Sequence, residues 1–307
     1  ILRCLVGSEM CIRDRDNRLK KIAVLNDLSG MGKCSLTAAI PVISVMGIQA
    51  CPLPTAVLSA QTGFPSYYCD DYTDRMDAIM EEWKKMDFYP DGIYTGFLAD
   101  ARQADKAVEF IEQFAKEDTK ILIDPVMGDN GEEYPIYTEA LCEKMRFLVR
   151  RATVITPNLT EALLLLYGAQ RAHVLWKELS LMDEERLLKF TESTGKELSK
   201  EFDTEVVITG IDLPARENHQ EIGNLICQDG NTTWVTAAKE GGSYSGTGDL
   251  FASVLSAGMV KGIDTVDSVH RAVKFLAKGI HDAVVEGTDR NEGICFERYL
   301  SELATEN

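Results

Sequence analysis

Short apolar runs alternate with amphipathic stretches along almost the whole chain. Lys21 to Asn26 reads as a first strand, and Ser35 to Met46 carries apolar residues at helical spacing despite Pro41. Ala50 to Leu58 is a second extended stretch whose Pro52 and Pro54 place it near a sheet edge. Thr73 to Met86 reads as helix and Gly92 to Thr95 as strand. Ala101 to Lys116 is amphipathic, with Ala104, Ala107, Val108, Ile111 and Phe114 on one face. A strand at 121–123, a helix from Tyr137 to Arg150, a strand at 153–156 and a helix from Leu159 to Tyr167 follow. Ser180 to Phe202 carries a long helical pattern with a break expected at Gly195, and Glu205 to Thr209 reads as strand. Ile222 to Cys227 and Thr232 to Thr236 flank Gln228-Asp229-Gly230-Asn231, a hairpin signal. Helices are expected at 246–260, near 264–284 and at the C-terminal end. Strands alternating with helices predict an α/β fold: a mostly parallel central sheet with helices on both faces.

Three segments at expected strand or loop ends carry polar chemistry. Gly241 to Asp249 is rich in Gly and Ser, and the helical run Leu250, Phe251, Val254, Leu255, Met259 begins directly after it. A flexible loop feeding a helix N-terminus offers free N–H groups and a favourable dipole to an anion. A carboxylate at Asp249 repels an anion there unless it serves as a base toward a hydroxyl attacking a phosphoryl group. An ordinary Gly-rich loop, with Asp249 complementing the helix dipole, fits the local pattern equally well. Ile121-Leu122-Ile123 ends in Asp124-Pro125-Val126-Met127-Gly128-Asp129, and Val154-Ile155-Thr156 ends in Pro157-Asn158-Leu159-Thr160-Glu161. In open α/β sheets ligands bind beyond the carboxyl ends of the strands, so Asp124, Asp129, Asn158 and Glu161 are aimed at one crevice. Each alone also fits a turn or a helix cap.

Composition narrows the classes. At 307 residues and 45% apolar content, without a Pro/Ser-rich linker or an internal repeat, the chain can bury one large α/β core or two small ones. A formal charge of -17 argues against nucleic acid or an anionic membrane as partner. There is no run of 18 apolar residues. The eight cysteines show no C-x-x-C and no metal-ligand spacing with the four histidines, which fits reduced thiols. Residues 1–15 lack the periodic pattern of the rest and read as a non-native leader, a translated adaptor or cloning scar. Gly30-Met31-Gly32-Lys33-Cys34-Ser35 imitates a P-loop, but Asp27 stands where the first Gly belongs and Cys34 where Ser or Thr would hold the metal.

Five segments together resemble the ribokinase superfamily, in particular its pyridoxal/pyridoxamine kinase branch. They are Asn26-Asp27-Leu28-Ser29-Gly30-Met31-Gly32; Leu53 to Ser59 with Thr62-Gly63-Phe64; the run at 124–129; Thr156 to Ala162; and Gly246-Thr247-Gly248-Asp249-Leu250-Phe251-Ala252. The likeness runs from about Lys20 to Leu303. The last segment marks the superfamily; the 124–129 and 156–162 segments narrow it to vitamin kinases acting on pyridoxal-like or hydroxymethylpyrimidine rings. The resemblance implies a ribokinase-like three-layer fold, with residues 16–307 as a single kinase domain. It implies ATP-dependent phosphorylation of the 5′-hydroxymethyl group of pyridoxal, pyridoxamine or pyridoxine, giving pyridoxal 5′-phosphate or its precursors in vitamin B6 salvage.

Roles follow from the same resemblance. Asp249 would be the base, and the N–H groups of Gly246, Thr247 and Gly248 would hold the transferring phosphoryl oxygens. Asp124 and Glu161 would act on Mg²⁺, partly through water. Asn158 and Asp129 would stand around the triphosphate, with Thr209 against the nucleotide. Asp27 and Thr62 would meet the acceptor ring, with Ser29 a lesser contact from the same loop. Asp27 stands where pyridoxal kinases often carry Ser; an anion there can accept from a protonated ring nitrogen or a 4-aminomethyl group. Tyr134 stands where some bacterial relatives place a Cys that adds to the aldehyde, so no thiohemiacetal is expected. A cytoplasmic homodimer is the family expectation, and a monovalent-cation requirement stays open.

Hydroxymethylpyrimidine kinase shares the D-x-S-G first loop and the Asp124-Pro125-Val126-Met127 run, whereas Cys51 to Phe64 and the 222–236 hairpin favour the pyridoxal branch. A catalytically silent ligand-binding relative is disfavoured by the intact Asp249, Asp124 and Glu161. A dinucleotide oxidoreductase would need G-x-G-x-x-G after the first strand, where only Gly30 and Gly32 stand.

Overall fold

The computed structural model describes residues 18–179, 181–216 and 219–304. The leader expected at residues 1–15 lies outside the described residues, as does Ser180, where one helix was expected to start. The main sheet contains β1 (Lys21–Ser29), β2 (Gln49–Leu58), β3 (Cys69–Asp71), β4 (Gly92–Thr95), β5 (Lys120–Ile123), β8 (Val154–Ile155), β9 (Glu205–Arg216), β10 (His219–Gln228) and β11 (Asn231–Ala238). Between β5 and β8 a small hairpin pairs β6 (Gly128–Asp129) with β7 (Glu132–Glu133). The main sheet runs in the order β11-β10-β9-β8-β5-β4-β1-β2-β3. From β9 across to β2 all neighbours are parallel, and antiparallel partners close both edges. The mostly parallel sheet expected from the alternation is therefore present.

Two cores flank it. On one face lie α2 (Thr73–Lys85), α3 (Ala101–Phe114), α4 (Glu139–Val149), α5 (Leu159–Leu179) and α6 (Glu184–Phe202). On the other lie α1 (Ser35–Val45), α7 (Thr247–Lys261) and α8 (Thr265–Glu286), with the short C-terminal α9 (Leu300–Ala304). Every residue of α7 from Leu250 to Val260 is buried. A helix that is apolar all round belongs inside, and α7 lies between the sheet and the α1 and α8 helices.

Three departures from the periodic reading have local causes. The helix expected to end at Tyr167 kinks at Gly168 (φ 72°) and resumes to Leu179. The break expected at Gly195 is absent. A Cβ there would collide with Cys227 Sγ, so this glycine lets α6 press onto β10 instead of ending the helix. β9 and β10 outrun their apolar cores to form a long ribbon, while β3, β6 and β7 are too short to show any period. The edge reading of the Pro52–Pro54 stretch is half right: β3 covers only Ala56–Leu58, so the proline-bearing half of β2 has no strand beyond it.

Candidate active site

Strand order reverses at β1: β2 lies on one side and β4 on the other. Such a switch point opens a crevice beyond the carboxyl ends of the strands. The N-terminus of α7 comes to that crevice. Its cap is Gly246, with φ 80°, a left-handed conformation that favours glycine. A Cβ at Gly246 would also strike the carbonyl oxygen of Lys33, so the loops at 30–35 and 241–246 touch through backbone. The N–H groups of Thr247, Gly248 and Asp249 belong to the first turn, where a helix has no intrahelical acceptor for them. They are the free donors on which the anion site expected from the Gly-rich segment would rest.

Asp249 is half-buried in this turn. Its Oδ1 accepts from Asn26 Nδ2 (3.0 Å) and from the Tyr94 hydroxyl (3.3 Å). The Ser35 N–H is a further donor to the carboxylate. Burial pushes its pKa up to about 6, with Asp27 adding repulsion and the three donors opposing it. A carboxylate ionising near 6 is well placed to take a proton at neutral pH.

Asp124 and Glu161 lie under the same crevice, 9% and 4% exposed. Asp124 Oδ1 accepts from Thr156 Oγ1 at 3.2 Å, and Asp124 Oδ2 stands 4.0 Å from where a Cβ on Gly248 would be. Burial first, then the Asp249 charge, raises its pKa to about 8. Glu161 and Asn158 form a reciprocal cap on α5: Glu161 Oε2 accepts from the Asn158 N–H (2.9 Å), and Asn158 Oδ1 accepts from the Glu161 N–H (3.0 Å). Glu161 Oε1 accepts from the Met127 N–H at 3.1 Å. Burial and the neighbouring Asp124 hold Glu161 well above the usual carboxylate range. Asn158 Nδ2 donates to the Gly128 carbonyl at 2.8 Å, and Asn158 forms a single bridge to Thr209. Asp129, on the β6–β7 hairpin, accepts from the N–H and the carboxamide of Asn130; burial raises its pKa and Arg290 offsets part of the rise.

The residues expected on the acceptor side divide. Asp27 is 5% exposed; its Oδ2 accepts from Ser29 Oγ (2.7 Å) and its Oδ1 from Ser35 Oγ (2.5 Å). Burial raises its pKa against those hydrogen bonds. Asp27 and Ser29 thus brace each other beneath the surface, while Thr62 is exposed on the loop after β2. Gln61 ties that loop to the other side of the crevice, donating to Ser245 Oγ (3.1 Å) and Asn291 Oδ1 (3.1 Å). The Tyr134 hydroxyl feels the charges of Glu161, Asp129, Asp124 and Asp249, and burial leads in raising its pKa.

Several buried acids with one compensating cation among their named neighbours are a destabilising arrangement on their own. It fits a hard divalent cation: the donors are all oxygens, and Asp124 Oδ2 lies 4.0 Å from the Cβ position of Gly248 in the Gly-rich loop. Both oxygens of Glu161 already hold backbone N–H groups, so Glu161 suits contact through a metal-bound water.

Asn26, Tyr94, Ser35 and Thr156 were given no role from the sequence. The available signal is a polar side chain ending an apolar run, as at Asn26, and a lone hydroxyl within Gly92-Ile93-Tyr94. Neither says what it faces.

Known proteins share this fold. A protein of Bacteroides thetaiotaomicron VPI-5482, described as a phosphomethylpyrimidine kinase and crystallised with pyridoxal, is 37% identical over 94% of this chain and 97% of its own, with a TM-score of 0.82. Pyridoxal kinase from Lactobacillus plantarum is 24% identical over 93% of this chain and 97% of its own and shares the fold, with a TM-score of 0.78. Pyridoxine kinase of Bacillus subtilis is 28% identical over 198 residues, 63% of this chain and 65% of that enzyme, so the match spans just under two thirds of that relative. The phosphomethylpyrimidine kinase family matches residues 32–293. With the ribokinase-like three-layer fold and the Gly246–Asp249 loop at its switch point, the chain belongs to the phosphomethylpyrimidine kinase family.

Proposed function

We propose that the protein transfers the γ-phosphoryl group of ATP to the 5′-hydroxymethyl group of pyridoxal, pyridoxamine or pyridoxine. The observation that carries this reading is the Asp249 carboxylate, held by Asn26 and Tyr94 and set into the first turn of a helix whose free N–H groups face the same crevice. The acceptor hydroxyl gives its proton to Asp249 as its oxygen attacks the γ-phosphorus; the new O–P bond forms, the bridging P–O bond breaks, and ADP leaves. The N–H groups at 246–248 hold the phosphoryl oxygens as charge spreads over them. Asp124 would hold Mg²⁺ directly and Glu161 through water, and the bound ion would supply charge neutralisation between the phosphates and the buried acids. Asn158, Asp129 and Thr209 line the nucleotide side. Thr62 meets the acceptor ring, with Asp27 and Ser29 forming the floor beneath it. A cytoplasmic homodimer belongs to the same proposal; light scattering on the purified protein checks the dimer, and cell fractionation checks the location.

The vitamin B6 ring is supported by the pyridoxal bound to the Bacteroides relative. Hydroxymethylpyrimidine is the second reading, favoured by the family's name and by Asp27-Leu28-Ser29-Gly30 in the first loop. A coupled ADP-release assay with each B6 vitamer and with hydroxymethylpyrimidine compares kcat/KM directly. The expected result is a vitamer preferred by at least tenfold; a higher kcat/KM for hydroxymethylpyrimidine would transfer the assignment to the second reading.

A further inference from the structure

Asn26 is fully buried at the end of the regular part of β1, where the register against β2 slips by one residue. Its carboxamide has one permitted orientation. Oδ1 accepts from the Asp27 N–H (3.0 Å) and the Phe97 N–H (2.9 Å), so the amide oxygen must face those backbone donors and Nδ2 must face away. Away from them lies Asp249 Oδ1, at 3.0 Å. Gly96 makes room for this, because a Cβ there would collide with Asn26 Nδ2. From β4 the fully buried Tyr94 brings its hydroxyl to the same Oδ1 at 3.3 Å. Two donors use both lone-pair positions of that oxygen.

We propose that Asn26 is a positioning residue of the phosphoryl-transfer site: together with the Tyr94 hydroxyl it occupies Asp249 Oδ1 and turns Oδ2 toward the acceptor hydroxyl. This rests on the reading of Asp249 as the base. The carboxylate is thereby held in one rotamer from two strands on either side of the strand-order reversal, so the base sits on rigid elements although it belongs to a helix fed by a Gly-rich loop. Asn26 and Tyr94 also stabilise the ionised form of Asp249 against the other groups that face it, namely Asp27 from β1, Asp124 from the end of β5, the buried Cys34 thiol before α1 and the Tyr134 hydroxyl beyond β7. Those groups, and the Ser35 N–H that also donates to the carboxylate, remain in every variant below, so the comparison isolates the two side-chain donors.

Asn26→Ala and Tyr94→Phe are compared with the parent protein by the pH dependence of kcat/KM and by an infrared titration of the Asp249 carboxylate in the ligand-free protein. Removing a donor to the ionised form raises its pKa, so the acid limb and the carboxylate titration should both move to higher pH, by about half a unit to one unit for a hydrogen bond of ~1 kcal/mol. The kcat should fall by roughly 10- to 100-fold for Asn26→Ala and less for Tyr94→Phe, with the KM for ATP little changed. Tyr94→Phe keeps the ring packing, so the titration stays readable if Asn26→Ala folds poorly. An acid limb and a carboxylate titration that stay at the parent pH would overturn the inference, whatever happens to melting temperature. Asp249→Asn separates the two readings: full turnover in that variant removes the base itself, whereas lost turnover together with unmoved titrations removes only the role of Asn26.

Discussion

The crevice at the strand-order reversal and the outer faces of the helices use the same residue types to opposite effect. On the helices, acids stand beside bases: Glu185 with Lys189 one turn apart on α6 (2.5 Å), Glu82 with Lys85 on α2 (2.7 Å), all well exposed. Such pairs are screened by water and contribute little. In the crevice, Asp27, Asp124, Glu161 and Asp249 are gathered from β1, the end of β5, α5 and α7 with raised pKa values and no lysine hydrogen-bonded to any of them among the described residues. Paired charges on a surface serve solubility. Like charges under a surface are kept at a cost to stability, and the proposed cation and phosphate chemistry would explain why the cost is tolerated.

The sharpest way to break this contrast is at Asp249. Asp249→Asn should lower kcat by about 10²- to 10⁴-fold while leaving melting temperature and nucleotide affinity near the parent values, since a positioned base contributes in that range. In the parent enzyme the acid limb of kcat/KM should lie near pH 6, activity rising as Asp249 loses its proton. A near-normal kcat for the Asn variant would dissolve the distinction between the crevice and the surface.

Asp124 tests the stability side. Its folded pKa of about 8 lies above the ordinary carboxylate value, so the folded state binds this proton more tightly than the unfolded chain. Its contribution to stability is complete below pH ~4 and is lost as pH rises toward about 8. The melting temperature of the ligand-free protein should therefore fall across that window, fall less in Asp124→Asn, and recover with Mg²⁺ and nucleotide. In activity assays Asp124→Ala and Glu161→Ala should each raise the Mg²⁺ requirement, with a double-variant loss smaller than the sum if both serve one ion. Additive losses with an unchanged Mg²⁺ titration would separate the two acids.

Gly248→Val should act on rate more than on folding. A Cβ there meets nothing closer than Asp124 Oδ2 at 4.0 Å, so the side chain enters the space beside the anion loop without striking the core. A melting temperature that falls as steeply as kcat would show a packing role instead. At the far end of the scale, Lys189→Ala should shift melting temperature by about 1 °C or less and leave kcat/KM unchanged, as exposed pairs one helical turn apart do. A larger shift would mean that the surface charges also matter to the fold.

Local patterns in the sequence determined the alternation of strands and helices, the mostly parallel sheet, and the positions of Asp124, Asn158, Glu161 and the 246–249 loop. Periodicity and strand ends are properties of about ten consecutive residues, and they survive whatever lies across the sheet. They misled at Gly195, where a glycine that breaks helices in isolation is required by the approach of Cys227, and at Gly168, where the interruption bends a helix that tertiary packing then resumes. The tertiary structure alone decided what the acids are. Asn26 and Asp249 are 223 residues apart, and only the sheet order brings Nδ2 of one to Oδ1 of the other. It also decided that Asp27 turns to Ser29 and Ser35, and that burial lifts Asp124 and Asp249 into the neutral range. A pKa and a rotamer depend on which atoms and how much water surround a group, and that is a property of the folded volume, absent from the order of residues along the chain.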